Sequence, residues 1–477
     1  MQEYFKSASD LLKAIMDDDK NVEQGKAMKE IFTGKSHLFI TGNAGSGKTT
    51  FMRRILPFIG PTAIVAPTGI AALNSGGQTI HSFFGLNLDQ YIPEIKRKKL
   101  VNKESIRMNQ QKRRIVCRIK NLIIDEVSMV KPELLDRVAD VLRQVRDSKE
   151  PFGGVRLIMF GDLFQLPPVT KFDDISSGFY DSKYFFASKS LKLAGFKVFE
   201  FKKIFRQKDE SFINILNAIR AGNVTNDQLE ELNKRVTPPT GEDPYITICS
   251  TNNKASNIND ARLGLIEGDP FVFEAIKNGD APKDAQCEEL LKVKIGAQVI
   301  ITRNGEDYVN GTIGTVEAIA PKIGPDNKTM TNQPPVIHIN IGNDKTVGIV
   351  PATFEKRKAE LVDNELKYKT VGSITQYPLR LGYAITSHKV QGMTLDKALI
   401  DINDAFDTGQ TYVALSRCRS MEGVFLPGPL SKEAIKVDND IATFFNMVNM
   451  EEGYVKPVSI EELIFDKREL NFDMYGL

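Results

Sequence analysis

The stretch that decides the fold is LFITGNAGSGKTT, residues 38–50. It opens with a short apolar run typical of a buried strand, and the apolar residues after it have helical spacing. Between them lies the phosphate-binding loop pattern, two glycines separated by four free positions and followed by a lysine and a hydroxyl residue: Gly42, Gly47, Lys48 and Thr49. Glycines let successive N–H groups point at one anion, and a helix N-terminus adds about half a positive charge.

This pattern predicts a nucleotide site whose residues have separate tasks. Lys48 is expected to reach the β- and γ-phosphates, and the hydroxyl of Thr49 to bind Mg²⁺. The whole loop is expected to line the nucleotide: Gly42, Asn43, Ala44, Gly45, Ser46, Gly47, Lys48, Thr49 and Thr50. Gln24, on a predicted helix ahead of the strand, could read the edge of the base, although alone it would be a solvated helix glutamine. The alternative for the loop is a glycine-rich turn without a ligand.

Length and composition limit the remaining possibilities. A chain of 477 residues exceeds one core and predicts two to four domains. With 41% apolar and 26% charged residues it has the composition of a soluble globular protein, and no apolar run reaches the ~18–20 residues that span a membrane. A net charge of only +2 means that a polyanion must bind a local groove. Four separated cysteines predict free thiols in the cytoplasm: Cys117, Cys249, Cys287 and Cys418.

A β-turn-α rhythm typical of a parallel sheet continues after the loop. Residues 63–66 form a second buried strand, which Pro67 ends. Ligands of parallel sheets bind at the carboxyl ends of the strands, so Thr68 and His81 are expected on loops at the functional edge. Taken alone, His81 is better explained as a packed histidine. The basic residues 88–116 interrupt the rhythm, either as a solvated loop or as a small inserted subdomain.

An acidic pair follows the next buried strand. Asp125 is expected to hold Mg²⁺, mostly through water, and Glu126 to orient and deprotonate the attacking water. Asp-Glu pairs are common on surfaces, but desolvation at the end of an apolar strand favours a function here. After an amphipathic helix at 132–146 and a strand at 156–160, Gln165 is placed to sense the γ-phosphate.

The second half of the chain predicts another α/β lobe around a β-rich insertion. Residues 245–258 start the lobe, and residues 293–370 form the short strands of a small barrel. Arg206 is either a surface arginine or a finger that reaches a phosphate. Arg417 and Arg419 could be solvated, but together with Arg206 they favour a composite anion site.

Seven motifs, in this order, resemble those of superfamily-one helicases of the 5′-to-3′ type, and most closely the Pif family: GNAGSGKTT, APTGIAAL with QTIHSF, LIIDEVSM, GDLFQLPP, FRQ, AITSHKVQGMTLD and YVALSRCRS. The diagnostic segment of that family is similar to residues 133–169, and the resemblance covers about 24–425. Leu135 and Leu163 stand where the family usually has an aromatic residue. The long N-terminal extensions of nuclear members are absent, which predicts a bacterial or phage protein.

The resemblance implies an α/β fold of two RecA-like P-loop NTPase lobes with ATP and Mg²⁺ between them. Arg206 and Arg417 would stabilise charge on the γ-phosphate, Gln391 and Gly392 would contact it from the other side, and Gln24 would read adenine. The implied units are lobe one at 1–87 and 117–195, a wedge at 88–116, lobe two at 196–300 and 373–430, an SH3-like barrel at 301–372 and a helical tail at 431–477.

The implied activity is that of an ATP-dependent 5′-to-3′ DNA helicase, monomeric in solution, away from membranes, acting on single-stranded DNA and on forked or structured DNA. Candidate DNA contacts come from both lobes: Pro67, Thr68, His81, Asn252, Thr386 and His388. Two alternatives stay open, a RecD-like or Dda-like helicase and an ATP-gated single-stranded DNA translocase without strong unwinding.

Overall fold

The computed structural model describes residues 22–86, 108, 110–169, 180–207, 209–237, 245–282, 287–308, 310–321, 333–342, 345–362, 365–450 and 453–459. Within these ranges, no helix combines the length and apolar character needed to cross a bilayer. Most of the predicted wedge, the first 21 residues and the last 18 lie outside them.

The first lobe is built on a seven-stranded sheet with the order β21-β6-β1-β5-β4-β2-β3. Its strands are β1 (His37–Gly42), β2 (Thr62–Ala66), β3 (Gln78–Thr79), β4 (Asn121–Ile124), β5 (Arg156–Phe160), β6 (Phe196–Phe201) and β21 (Tyr454–Val455). All neighbours are parallel except β21 and β6. Leu38 of β1 lies opposite Ile158 and Lys197, so the strand before the phosphate loop is central. Such a strand is apolar throughout because helices cover both faces.

Helices pack on both faces of this sheet: α1 (Val22–Thr33), α2 (Lys48–Ile55), α3 (Gly69–Ser75), α4 (Ile80–Phe84), α5 (Gln110–Arg118), α6 (Pro132–Arg146), α7 (Lys189–Ala194) and α12 (Asn439–Met450). Helix α6 has the predicted bounds, because Pro132 is preorganised for the first helical position and Asp147 ends the helix in the left-handed conformation, with φ 49°. Its apolar face enters the larger of the two cores of the lobe.

The second lobe has a parallel four-stranded sheet with the order β18-β7-β19-β20. Its strands are β7 (Ile246–Cys249), β18 (Ala384–Thr386), β19 (Ala398–Asp401) and β20 (Val424–Phe425). Its helices are α8 (Glu210–Ala221), α9 (Asn226–Asn233), α10 (Asn252–Gly264) and α11 (Gln410–Leu415). The predicted α/β class with two lobes is therefore confirmed.

A β-rich insertion interrupts the second lobe between α10 and β18. Its strands are β8 (Phe271–Glu274), β9 (Ile276–Gly279), β10 (Leu290–Val293), β11 (Gln298–Ile301), β12 (Ile313–Ala320), β13 (Val336–Asn340), β14 (Thr346–Ile349), β15 (Ala352–Val362), β16 (Glu365–Gln376) and β17 (Leu379–Leu381). A five-stranded antiparallel sheet, β14-β13-β12-β11-β17, covers an apolar core of its own. The insertion is thus longer than the predicted 301–372, and its closure into an SH3-like barrel stays a prediction. The β15–β16 hairpin reaches helix α5 of the first lobe.

Two predicted domain boundaries are wrong. Strand β6 pairs along its full length with β1, so the first lobe continues to Phe201 and not to 195. The tail beyond 430 returns to the same lobe, where Phe444 of α12 stacks on Phe186 at 4.5 Å and β21 pairs with β6. The sequence-based boundaries missed the packing partners of both segments, which belong to the first lobe.

Candidate nucleotide-binding cleft

A cleft of about 1180 Å³ lies between the two lobes and contains the phosphate loop. Its walls come from the loop, from the segments after β4 and β5, from Phe205, Arg206 and Asp209 of the linker between the lobes, and from the second lobe. The predicted residues that line it are Gln24, Ala44, Gly45, Ser46, Gly47, Lys48, Thr49, Thr50, Glu126, Gln165, Arg206, Gly392 and Arg417. Arg419 lines it as well.

The phosphate loop makes a turn that requires glycine. A Cβ on Gly42, where φ is +142°, would lie 2.3 Å from the carbonyl oxygen of Phe201. Lys48 begins helix α2, and its Nζ donates to the carbonyl oxygens of Gly42 at 2.7 Å and Asn43 at 3.0 Å. Burial lowers the pKa of Lys48. The carboxylates of Asp162 and Glu126 oppose this effect, because their negative charge favours the charged ammonium.

The acidic pair at the end of β4 combines raised pKa values with a strained backbone. The N–H of Glu126 donates to Oδ1 of Asp125 at 3.0 Å, and Glu126 has a left-handed backbone with φ 51°. Such strain in a residue other than glycine is typical of functional positions. Burial, followed by repulsion from Asp125, raises the pKa of Glu126 to about 7, and burial raises that of Asp125 to about 6.

Two glutamine side chains, Gln165 from the first lobe and Gln391 from the second, belong to one hydrogen-bond network with Glu126. Nε2 of Gln391, from the loop after β18, donates to Oε2 of Glu126 at 3.2 Å and lies 3.3 Å from Oε1 of Gln165. Nε2 of Gln165 in turn donates to Oδ2 of Asp162 at 3.2 Å. Residues separated by more than 200 positions are thus joined around Glu126.

The two predicted arginines meet beside this network. Arg417 is 2% exposed, and its Nε donates to the carbonyl oxygen of Val413 at 2.8 Å. Arg206 donates from Nη1 to the carbonyl oxygen of Ser416 at 3.1 Å. Burial, followed by the charge of Arg206, lowers the pKa of Arg417 to about 9. Two confined cations therefore face the cleft, where an anion would relieve their repulsion.

Gln24 and Phe205 line the end of the cleft next to α1. Nε2 of Gln24 lies 3.5 Å from the carbonyl oxygen of Ser46. Next to it, the ring of Phe205 is 51% exposed and lines the cleft, and its N–H donates to the carbonyl oxygen of Gly45 at 2.9 Å. Phe205 was missed, although it directly precedes Arg206 in the sequence.

The predicted metal ligands are Thr49, whose exposed side chain lines the cleft, and Asp125, at the end of β4. Among the described residues, no group of three or more histidine, cysteine or acidic side chains could hold a metal ion. Mg²⁺ does not need one, since it keeps several waters and takes one or two protein oxygens plus phosphate. The hydroxyl and the carboxylate fit this ion. All four cysteines are free.

The candidate DNA contacts fall into two groups. Thr68, after Pro67 and β2, caps helix α3 by accepting a hydrogen bond from the N–H of Ala71 at 3.2 Å. His81 lies in helix α4 and not on a loop, because Thr79 caps that helix two residues earlier. In the second lobe, Asn252 and Thr386 line one cavity of about 190 Å³.

His388 lies in the loop after β18, and burial lowers its pKa. Burial also lowers the pKa of His81, and the positive charges of Arg137 and Lys131 lower it further. Both histidines therefore favour the neutral form, which suits hydrogen bonding and stacking more than ion pairing.

Three contacts across the cleft were missed by sequence reasoning. Nδ2 of Asn43 donates to Oδ1 of Asn217 at 2.8 Å, and the N–H of Ala44 donates to Oη of Tyr412 at 3.0 Å. Arg220 forms the third contact, an ion pair with Asp162. No local signal marks these residues, because their partners lie far away in the sequence.

Comparison with known proteins identifies the family of the chain. A sequence model of the PIF1-like helicase family matches residues 19–230. Pif1 from a Bacteroides species, solved in complex with ADP-AlF4, superposes with a TM-score of 0.81 at 36% identity, covering 91% of this chain and 97% of that one. The chain belongs to the PIF1-like helicase family. This confirms the resemblance inferred from the seven motifs.

Two further members of the family differ from this chain, one in length and one in the arrangement of its parts. The human ATP-dependent DNA helicase PIF1 is 34% identical over 84% of this chain, which spans only 60% of the length of the human protein. Bacteroides Pif1 bound to single-stranded DNA is 38% identical, with 91% and 97% of the two chains covered, but the TM-score is 0.64. The unliganded Bacteroides protein superposes with a TM-score of 0.79, so the arrangement of this chain is closer to that of the DNA-free relatives than to that of the relative bound to single-stranded DNA.

Proposed function

We propose that this protein is an ATP-dependent DNA helicase that hydrolyses Mg-ATP between its lobes and moves 5′ to 3′ along single-stranded DNA. The observation that carries the proposal is the meeting of Arg206 and Arg417 with Lys48 and Glu126 in one cleft. A cation supplied from across a cleft to a phosphate loop is the arrangement that stabilises phosphoryl transfer.

ATP would bind along the loop. N–H groups of the phosphate loop and of the start of α2, together with the ammonium of Lys48, would receive the phosphates, and the adenine would lie beside Gln24 and the ring of Phe205. Thr49 and Asp125 would hold Mg²⁺, which would supply positive charge to offset that of the phosphates.

Glu126 is the proposed general base. Its raised pKa, near the working pH, matches what proton transfer from water needs, and Gln391 holds one of its oxygens. The carboxylate accepts a proton from the water that attacks the γ-phosphorus, the bond from that phosphorus to the bridging oxygen of the β-phosphate breaks, and ADP is the leaving group. Gln165 contacts the γ-phosphate, and Arg206 and Arg417 stabilise the charge that develops on it.

Hydrolysis would drive motion because the two arginines bind the γ-phosphate only when the cleft is closed. A ligand shifts a conformation only by its differential affinity for the two states, and ATP and ADP differ in the phosphate that these arginines reach. If each lobe grips DNA separately, alternate opening and closing moves the protein along the strand.

Single-stranded DNA is the proposed track, supported by the relative solved with it. Contacts through Pro67, Thr68, His81, Asn252, Thr386 and His388 would be insensitive to sequence. Affinity should fall with salt at a slope of about −0.7 per phosphate neutralised. We further propose that the protein acts as a monomer in the cytoplasm of a bacterium or of a phage-infected cell, on forks or other structured DNA.

The deciding experiment compares displacement of a labelled strand from forked duplexes with only a 5′ or only a 3′ loading tail. Unwinding from the 5′ tail alone is expected, with Lys48→Ala as the inactive control. Unwinding only from the 3′ tail would overturn the direction. DNA-stimulated hydrolysis without displacement of either strand would instead favour a translocase, the alternative that the sequence leaves open.

A further inference from the structure

We propose that Arg220 is a positioning residue that orients Gln165 through Asp162, so that γ-phosphate recognition depends on the fit of the second lobe against the first. The inference rests on the proposed function, in which Gln165 contacts the γ-phosphate. It adds a residue of α8 that does not itself line the cleft.

The contact crosses between the lobes. Nη2 and Nε of Arg220 lie 3.1 and 3.3 Å from Oδ1 of Asp162, and Nη1 lies 3.2 Å from Oε1 of Glu200 on β6. The side chain of Asp162 is 0% exposed and that of Arg220 11%. The guanidinium also lies over the ring of Phe164, with Cζ 4.2 Å from its centre. The fixed fork of arginine suits this site, where two carboxylates and a ring must be contacted at once.

Asp162 passes this constraint to Gln165. One carboxylate oxygen faces Arg220, and the other accepts from Nε2 of Gln165 at 3.2 Å. Because an ionised carboxylate only accepts hydrogen bonds, it fixes which end of the amide faces it. The second N–H of Gln165 remains available to a phosphate oxygen, and Oε1 is held toward Gln391 at 3.3 Å.

The same helix also touches the phosphate loop. Asn217 lies three residues before Arg220, so both side chains project from one side of α8. Oδ1 of Asn217 accepts from Nδ2 of Asn43 at 2.8 Å. A shift of α8 relative to the first lobe would therefore disturb the loop and the Asp162–Gln165 pair together. Arg206 and Arg417 differ from Arg220, because they would reach the phosphate directly.

The first test measures how well the full-length protein discriminates a non-hydrolysable ATP analogue from ADP in the presence of Mg²⁺. Arg220→Gln should reduce the ratio of the two affinities about tenfold, the loss of one hydrogen bond to a charged group. ADP affinity should stay unchanged, since ADP lacks the γ-phosphate, and this reports that the variant is folded. Glu200→Gln is the matched control, because it removes the negative charge of the more exposed partner of Arg220 and leaves the ion pair between Arg220 and Asp162 in place.

The second test asks whether Arg220 acts through Gln165. In a Gln165→Ala background, Arg220→Gln should cause no further loss of discrimination and no further fall in kcat. Arg220→Lys should recover part of the loss, because it restores a charge without the fork. Should Arg220→Gln not fold, Arg220→Lys, which keeps a cation beside the buried carboxylate of Asp162, replaces it in both backgrounds and should show a smaller loss of discrimination that disappears in the Gln165→Ala background.

Additive losses in the two backgrounds, or wild-type discrimination in Arg220→Gln, would overturn the inference. If Gln165→Ala itself discriminates like the wild type, the role of Gln165 in the proposed function fails, and the inference fails with it. If Gln165→Ala loses discrimination while Arg220→Gln keeps it, only the coupling through Arg220 is refuted.

Discussion

Replacing Glu126 with glutamine should separate ATP binding from ATP hydrolysis. Glutamine has the same shape, and its carbonyl oxygen can still accept the hydrogen bond from Nε2 of Gln391, which is 3.2 Å long in the wild type. It cannot take a proton from water. A positioned general base contributes about 10²–10⁴ in rate, so kcat should fall by that factor, equivalent to about 2.7–5.4 kcal/mol.

The same variant should bind ATP at least as well as the wild type. The pKa of Glu126 is about 7, raised by burial and by Asp125 at its side, so at pH 8 two carboxylates share the cleft. Removing one lowers the negative charge that the phosphates meet. Equilibrium binding of a fluorescent ATP analogue, measured beside steady-state hydrolysis on single-stranded DNA, tests both halves of the prediction.

The pH profile is the sharpest readout of the assigned role. Glu126 is the base only when ionised, so wild-type kcat/KM, which reports the free enzyme, should rise with pH up to about 7 and then level off. The limb of kcat should lie at lower pH, because a divalent cation beside the carboxylate stabilises its charge. Glu126→Gln should lose this limb. Retention of more than a tenth of wild-type kcat, or an unchanged limb, would refute the assignment of Glu126 as base.

Three further outcomes follow from the structure. Glu126→Gln should raise the thermal midpoint at pH 8 but not at pH 4. The folded pKa of Glu126, about 7, exceeds its unfolded value, so ionisation of this carboxyl destabilises the folded protein as the pH rises from the unfolded pKa to the folded one. Calorimetry of both proteins at the two pH values checks the sign. Gly45→Ala should weaken ATP binding at least tenfold, measured by isothermal titration. The new Cβ would lie 2.6 Å from Cβ of Arg206, and residue 45 has a φ of +81°, which strains any residue other than glycine. Wild-type affinity for ATP would contradict this steric conflict. Replacing Thr68, His81 and His388 together with alanine should reduce affinity for a fluorescent single strand, with ATP affinity as the control, and unchanged DNA affinity would remove these residues from the track.

Local patterns were enough to predict the elements that carry the site. The buried run before Gly42, the helix at 132–146 and the acidic pair after β4 were all predicted from residues within a few positions of one another. Each depends on a short-range rule: an apolar strand interior, a helical period, or a desolvated charge at a strand end. These rules do not depend on the rest of the chain.

What failed depends on distant partners. FKVFEF at 196–201 has the alternation of a strand in any sheet, and only its pairing with β1 assigns it to the first lobe. Asn43 and Asn217 are 174 residues apart, and no periodicity connects them. For the same reason Arg220 could be read from the sequence only as one basic residue near the end of an amphipathic helix. Contacts between lobes are set by the packing of whole sheets, which single-sequence patterns do not contain.

The return of the C-terminal segment to the first lobe restricts how the cleft can move. The chain crosses between the lobes first at 202–209 and again near Asp438, whose carboxylate lies 2.9 Å from Nζ of Lys183 in the first lobe. Two positions earlier, the carbonyl oxygen of Lys436 accepts from the N–H of Gly409 in the second lobe at 3.1 Å. Two lobes joined by one connection can rotate about any axis through it. Two lobes joined by two connections rotate only about the line that passes through both. In the proposed opening and closing of the cleft, the two connections would therefore restrict the lobes to rotation about a single axis.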